Sequence, residues 1–99
     1  DSNIGGPMGK VIGEKLKMVS QHHQVLCITH LPQIASYADQ HLKVNKFVKN
    51  DRTSVKIDLL SEKERLEEVA EMIRGDEKTD VTRKQAKEMI DDAKNFLLK

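Results

Sequence analysis

The sequence predicts an α/β fold in one domain, and three observations carry that expectation. Apolar residues recur at helical spacing in three long stretches. Residues 24–29 form a short, almost continuous apolar run rich in β-formers. Residues 42–59 alternate apolar and polar side chains on either side of a turn. The expected order along residues 1–99 is an opening loop, then helix, strand, helix, hairpin, helix and helix.

Over residues 7–20, Met8, Ile12, Leu16 and Val19 are spaced by four, four and three, with Lys10, Glu14, Lys15 and Lys17 between them, which predicts an amphipathic helix. The run Gln24-Val25-Leu26-Cys27-Ile28-Thr29 has the pattern of a strand covered on both faces, so a central, parallel strand is expected there. Pro32 is tolerated in a first helical turn, and Ile34, Ala35 and Ala38 continue a short helix to about Asp39. Leu42, Val44 and Val48, the turn residues Asn50-Asp51-Arg52, and Val55, Ile57 and Leu59 make a hairpin. Phe47 falls off its apolar face, so a bulge or an edge contact is expected at that point.

Ser61 with Glu64 is a capping-box signature, and Leu66, Val69, Ala70 and Ile73 form the stripe of a helix stopped by Gly75. Thr82 with Gln85 repeats the signature before a last helix carrying Ala86, Met89, Ile90, Ala93 and Leu97. Gly75 to Asp80 reads as the turn between these two helices.

Composition sets the limits. Ninety-nine residues, 37% hydrophobic and 33% charged, provide one modest core and argue against a large enclosed active site. A net charge of +1 gives no overall electrostatic reason for DNA, RNA or an acidic membrane as partner. No apolar run approaches the roughly 18 residues that span a bilayer, so no membrane partner is expected. Cys27, the single cysteine, excludes an internal disulfide and suits a reducing, cytosolic setting. The chain opens on Asp1 in a loop, Asp1-Ser2-Asn3-Ile4-Gly5-Gly6-Pro7, with no element before it, and so reads as a piece of a longer protein.

The stretch most suggestive of chemistry is the apolar run followed at once by Thr29-His30-Leu31-Pro32-Gln33. Ligands of open α/β sheets lie outside the carboxyl ends of strands, and His30 occupies that place. An imidazole there can hydrogen-bond a phosphate oxygen or hold a water, whereas its structural role would be to bridge strand and helix through nearby backbone.

Residues 24–33, QVLCITHLPQ, resemble the switch-histidine segment of ABC-type ATPase heads, and the form THLPQ resembles most closely the RecN family of bacterial DNA double-strand-break repair ATPases, relatives of SMC proteins. Asp1-Ser2-Asn3-Ile4-Gly5-Gly6 is similar to that family's D-loop, residues 66–75 (LEEVAEMIRG) to its late helix and residues 85–90 to its terminal one. The resemblance implies that residues 1–99 are the C-terminal part of a P-loop, ABC/SMC-type ATPase head. It implies a bacterial cytoplasmic, nucleoid-associated protein of DNA repair and recombination that hydrolyses ATP with Mg²⁺ and acts on DNA. Two heads of the same protein would close on two nucleotides. By the same resemblance His30 is the catalytic residue, contacting the γ-phosphate and helping to position the attacking water. Asp1, Ser2 and Asn3 would lie across the head-to-head interface, and Gln33 would be a further nucleotide contact. No G-x-x-x-x-G-K-[ST] loop is present, and the family's Walker B carboxylates and signature motif would lie upstream, so the fragment alone is expected to be inactive.

Two other readings compete. Cys27, His30, His22, His23 and His41 contain zinc-ligand residue types, but no paired C-x-x-C or H-x-x-x-H spacing supports a closed site, and no metal is expected; Cys27 reads as a small buried hydrophobe and His22 and His23 as solvent-facing. Lys43, Lys46, Lys49, Arg52 and Lys56, around the hairpin of residues 43–56, could touch nucleic-acid phosphates and make the chain a stand-alone binding module. Lysines on edge strands also discourage strand addition, and the aromatic platform expected for single strands is missing.

Overall fold

A computed structural model describes residues 6–75 and 77–98. Along them run α1 (Gly6–Val19), α2 (Pro32–Ala35), β1 (Leu42–Lys49), β2 (Arg52–Leu59), α3 (Glu62–Arg74), α4 (Asp80–Lys94) and a closing 3₁₀ turn, Phe96–Leu98. The class is α/β, helices with a two-stranded antiparallel sheet. The strand expected over residues 24–29 is not formed. Those residues carry no regular assignment and no ladder, and Leu26 and Ile28 are 82% and 95% exposed. The reason is that a strand exists only through its neighbour's hydrogen bonds, and among the described residues β1 and β2 pair only with each other, so none lies beside the run. Cys27, expected to be buried there, is exposed.

The hairpin register is unbroken from Leu42 opposite Leu59 to Lys49 opposite Arg52. Phe47 stands opposite Ser54, so no bulge occurs at that position. Asn50 and Asp51 take φ of 52° and 61°, the left-handed pair that matches the twist of a two-residue hairpin and that Asn and Asp tolerate. Arg52 is therefore the first residue of β2 rather than part of the turn. Leu42, Val44, Val48, Val55, Ile57 and Leu59 remain largely exposed.

Helix α3 begins at the expected box: Ser61 Oγ accepts from the Glu64 N–H and Glu64 Oε1 from the Ser61 N–H, at 3.2 and 2.9 Å. It ends at Gly75, whose φ of 67° an L side chain rarely adopts. Helix α4 starts three residues earlier than Thr82 with Gln85 would place it. Its cap is Thr79, whose hydroxyl accepts from the Thr82 N–H, while the Thr82 hydroxyl accepts from the Thr79 N–H. The core is the seam between these helices: Val69, Ala70, Ala86 and Ile90, flanked by Leu66 and Ile73. Arg83 closes its edge through Nε, which lies 2.9 and 3.2 Å from the Glu67 carboxylate oxygens.

Helix α1 buries glycines rather than its apolar stripe. Gly9 and Gly13 are buried, whereas Met8, Met18 and Val19 are about half exposed, at 56%, 50% and 48%. A methyl at Gly13 would stand 3.0 Å from the Gln33 carbonyl oxygen and 2.9 Å from Tyr37 Cε2. The absent side chains thus let the α1 backbone lie directly against the residues that follow His30.

Candidate functional site

The site is built from the junction between the ladderless run and α2. Thr29 Oγ1 accepts from the Leu31 N–H at 3.0 Å, closing a local turn around His30 of the kind Thr side chains form with nearby backbone. Leu31 is extended, φ −98° and ψ 122°, as the residue before a proline prefers. Pro32 then supplies a preset φ for the first helical position. His30 itself is exposed.

Behind His30 the short helix is held on three sides. Ser36 Oγ donates to the Pro32 carbonyl at 2.6 Å, and Ser36 is 3% exposed. That back-bond coincides with the end of α2 at Ala35, four residues short of the expected Asp39. Gln33 packs its Cβ and Cγ against Gly9 of α1, and its Oε1 is buried with no hydrogen-bond partner among the described residues. Arg65 of α3 reaches across from the third side. Its Nη2 donates to the Ala35 and Ser36 carbonyls at 3.1 and 3.0 Å. Burial lowers the Arg65 pKa, with the Asp39 and Glu62 carboxylates acting in the opposite direction.

Tyr37 continues this packing. Its ring meets Phe96 edge to face, centroids 5.9 Å apart, and burial followed by the Glu14 and Asp92 carboxylates raises its hydroxyl pKa. Beside it lie two adjoining clefts between α1 and α4, of about 360 and 420 Å³, which share Lys10, Tyr37 and Asp92.

His30 and Gln33 therefore share one short segment, with His30 outward and Gln33 turned onto α1. Asp1, Ser2 and Asn3 lie outside the described residues. His22 and His23 are exposed, as expected. Half-buried His41 is held below its ordinary pKa by burial and then by the Arg65 charge. Among the described residues no group of three or more His, Cys, Asp or Glu side chains is placed to hold a metal ion, and no helix is long and apolar enough to cross a membrane. On the basic hairpin, Lys43 is drawn to Glu68 at 2.7 Å and Lys56 to Asp58 at 3.6 Å. Arg65, Gly9 and Gly13 were not legible as parts of the site, because a hydrophobic-period reading gives no weight to glycine and treats an arginine in a helix's first turn as surface.

These features define an α/β segment that presents a histidine at the junction of an apolar, ladderless run and a short proline-started helix. Over 93 residues, 94% of its length, the chain is 44% identical to the DNA repair protein RecN of Bacillus subtilis. It is 41% identical over 91 residues to that of Halalkalibacterium halodurans and 37% identical over 91 residues to that of Haemophilus influenzae. No family model matches the chain. The chain is thus homologous to one segment of RecN, and it spans about 16% of the length of these relatives.

Proposed function

We propose that this chain is the part of a RecN-type ATPase head that supplies the switch histidine to an ATP site, in a protein that acts on DNA during repair. The observation that carries the reading is the setting of His30. It is exposed at the end of a ladderless run whose Leu26 and Ile28 are 82% and 95% exposed. Leaving two large aliphatic side chains in water forgoes roughly 1.5–3 kcal/mol each relative to full burial. A run with that composition is suited to enter a sheet, and entry would leave the imidazole at the sheet's carboxyl edge, where α/β proteins hold ligands.

In this reading His30 hydrogen-bonds the γ-phosphate and orients the attacking water. Positioning and charge stabilisation are most of what phosphoryl transfer asks of a protein. The Gly-rich phosphate loop and the Mg²⁺-binding groups belong to other parts of the head, since this chain contains no G-x-x-x-x-G-K-[ST] sequence. Asp1, Ser2 and Asn3 would contribute from the D-loop across a pair of heads of the same protein, and Gln33, whose side chain packs on α1, would serve the site by seating α2 rather than by touching the nucleotide.

The test is His30→Ala in the complete protein. Turnover of ATP should fall by about 10²-fold or more, the usual scale for a positioned acid, base or orienting group, while the nucleotide dissociation constant stays within about twofold. Unchanged turnover removes His30 from catalysis. The chain alone should bind DNA weakly at physiological salt. A tight, steeply salt-dependent affinity would favour instead a binding module acting through Lys46, Lys49 and Arg52.

A further inference from the structure

We propose that Arg65 is a positioning residue for His30, acting through the carboxyl end of α2. The inference rests on the reading of His30 given above and concerns what holds that histidine in place.

Helix α2 has only four residues, Pro32–Ala35, and its N-cap residue Leu31 offers no side-chain hydrogen bond. One turn is too short to be stable by itself, because the nucleation cost is not recovered by propagation. Its last carbonyls fall beyond the reach of a regular helical ladder. Ala35 O accepts locally from the Ala38 N–H at 3.1 Å, and Ala35 O and Ser36 O both accept from one further nitrogen, Arg65 Nη2, of a residue 30 and 29 positions further along the chain. Both acceptor residues are buried, Ala35 at 7% and Ser36 at 3% exposure, so water cannot replace the guanidinium without opening the packing.

Arg65 is itself well anchored. It sits in the first turn of α3, its own N–H donating to Ser61 O at 2.8 Å, in the turn fixed by the Ser61–Glu64 box. The next residue, Leu66, packs on the core seam. A charged donor on a rigid helix therefore fixes where the short helix ends. From there the connection to His30 is stiff: Ser36 Oγ bonds back to Pro32 O, Pro32 has a preset φ, and the Leu31 N–H is tied to Thr29 Oγ1. A shift of the Ala35–Ser36 peptide is thus passed to the His30 turn with little slack to absorb it, and a displacement of about 1 Å at a positioned group costs on the order of 10²-fold in rate.

The experiment is a double-mutant cycle in the complete RecN-type protein, reading kcat and KM for ATP. Arg65→Met should lower kcat at least fivefold with KM within twofold of the parent. In a His30→Ala background the same substitution should lower kcat no further, because the group being positioned is gone. An equal loss in both backgrounds assigns Arg65 to general stability and overturns the proposal, as does no loss in either. Should Arg65→Met not fold, Arg65→Gln takes its place and is read by the same rule. The two readings fail separately: full activity of His30→Ala sinks the reading of His30, whereas a slow His30→Ala enzyme with an additive or neutral Arg65→Met sinks only the role of Arg65.

Discussion

Gly13→Ala should destabilise the chain although the same change usually strengthens a helix. In a helix interior, alanine in place of glycine favours the folded state by about 0.5–1 kcal/mol. At Gly13 the new methyl would lie 2.9 Å from Tyr37 Cε2 and 3.0 Å from the Gln33 carbonyl oxygen. The ring could swing away, but the carbonyl is backbone of α2, pinned by Arg65 and by the Ser36–Pro32 bond. Overpacking of this kind costs about 1–3 kcal/mol, so the steric cost outweighs the propensity gain and a net loss of about 0.5–2 kcal/mol is expected. For a domain of this size the melting temperature moves by about 4–8 °C per kcal/mol. Gly9→Ala should act in the same direction, because its methyl would stand 3.0 Å from Gln33 Cβ, an atom whose place is set by the α2 backbone and not by a side-chain torsion. Thermal unfolding followed by far-UV circular dichroism should place both variants below the parent. A Gly13→Ala protein that melts at or above the parent temperature would refute the close α1–α2 contact.

Three further outcomes follow from the same contacts. Thr79→Ala should cost about 1 kcal/mol as a lost N-cap while Gln85→Ala costs little, and equal melting temperatures would refute the observed start of α4. His41 has a folded pKa below the ordinary imidazole value of 6.5, so the unfolded chain binds the extra proton first. Its contribution is therefore present above that pH and lost as pH falls below it. A His41→Gln variant should show a flatter decline in stability between neutral and mildly acidic pH, and an unchanged slope measured by urea titration would remove His41 as a source. Leu26→Asp with Ile28→Asp should leave this chain's stability within about 0.5 kcal/mol, as expected of exposed sites. In the complete protein the same pair should lower the melting temperature and the ATP turnover, and a fully active complete variant would refute entry of the run into a sheet.

Much of the architecture was legible in the sequence, and the exceptions have physical causes. The Leu66, Val69, Ala70 and Ile73 stripe became the core seam because helical period and burial coincide there. Ser61 with Glu64 marks the start of α3, but Thr79 does not read as the α4 cap because its partner at the third position is Thr82, whose hydroxyl takes the place of the usual Glu or Gln. Residues 24–29 carry strand composition without a ladder, since composition specifies a face and not the neighbour that must pair with it. Residue spacing put His30 at the carboxyl end of an interior strand, and that strand is not formed among the described residues. Spacing did not disclose the support behind His30, which comes from two glycines and an arginine that the linear pattern sets far from the histidine.

That support reaches His30 from its carboxyl side, and it bears on when the role proposed for His30 could be filled. The fully buried side chains Val69, Ala70 and Ala86 lie on α3 and α4, and from this seam Arg65 reaches the end of α2. Ahead of His30 the chain runs through residues 24–28, exposed and in no ladder. Each residue that a ladder fixes gives up backbone freedom worth about 1–2 kcal/mol, an ordering that suits a group proposed to hold a water within a fraction of an ångström. Pairing of the run with a neighbouring strand would remove that freedom and bury Leu26 and Ile28 in one event. Assembly of the sheet and activation of the histidine are then the same step. Substitutions that weaken the pairing should lower kcat more than they lower nucleotide affinity, because on the proposed reading the phosphates are gripped elsewhere while the water depends on His30.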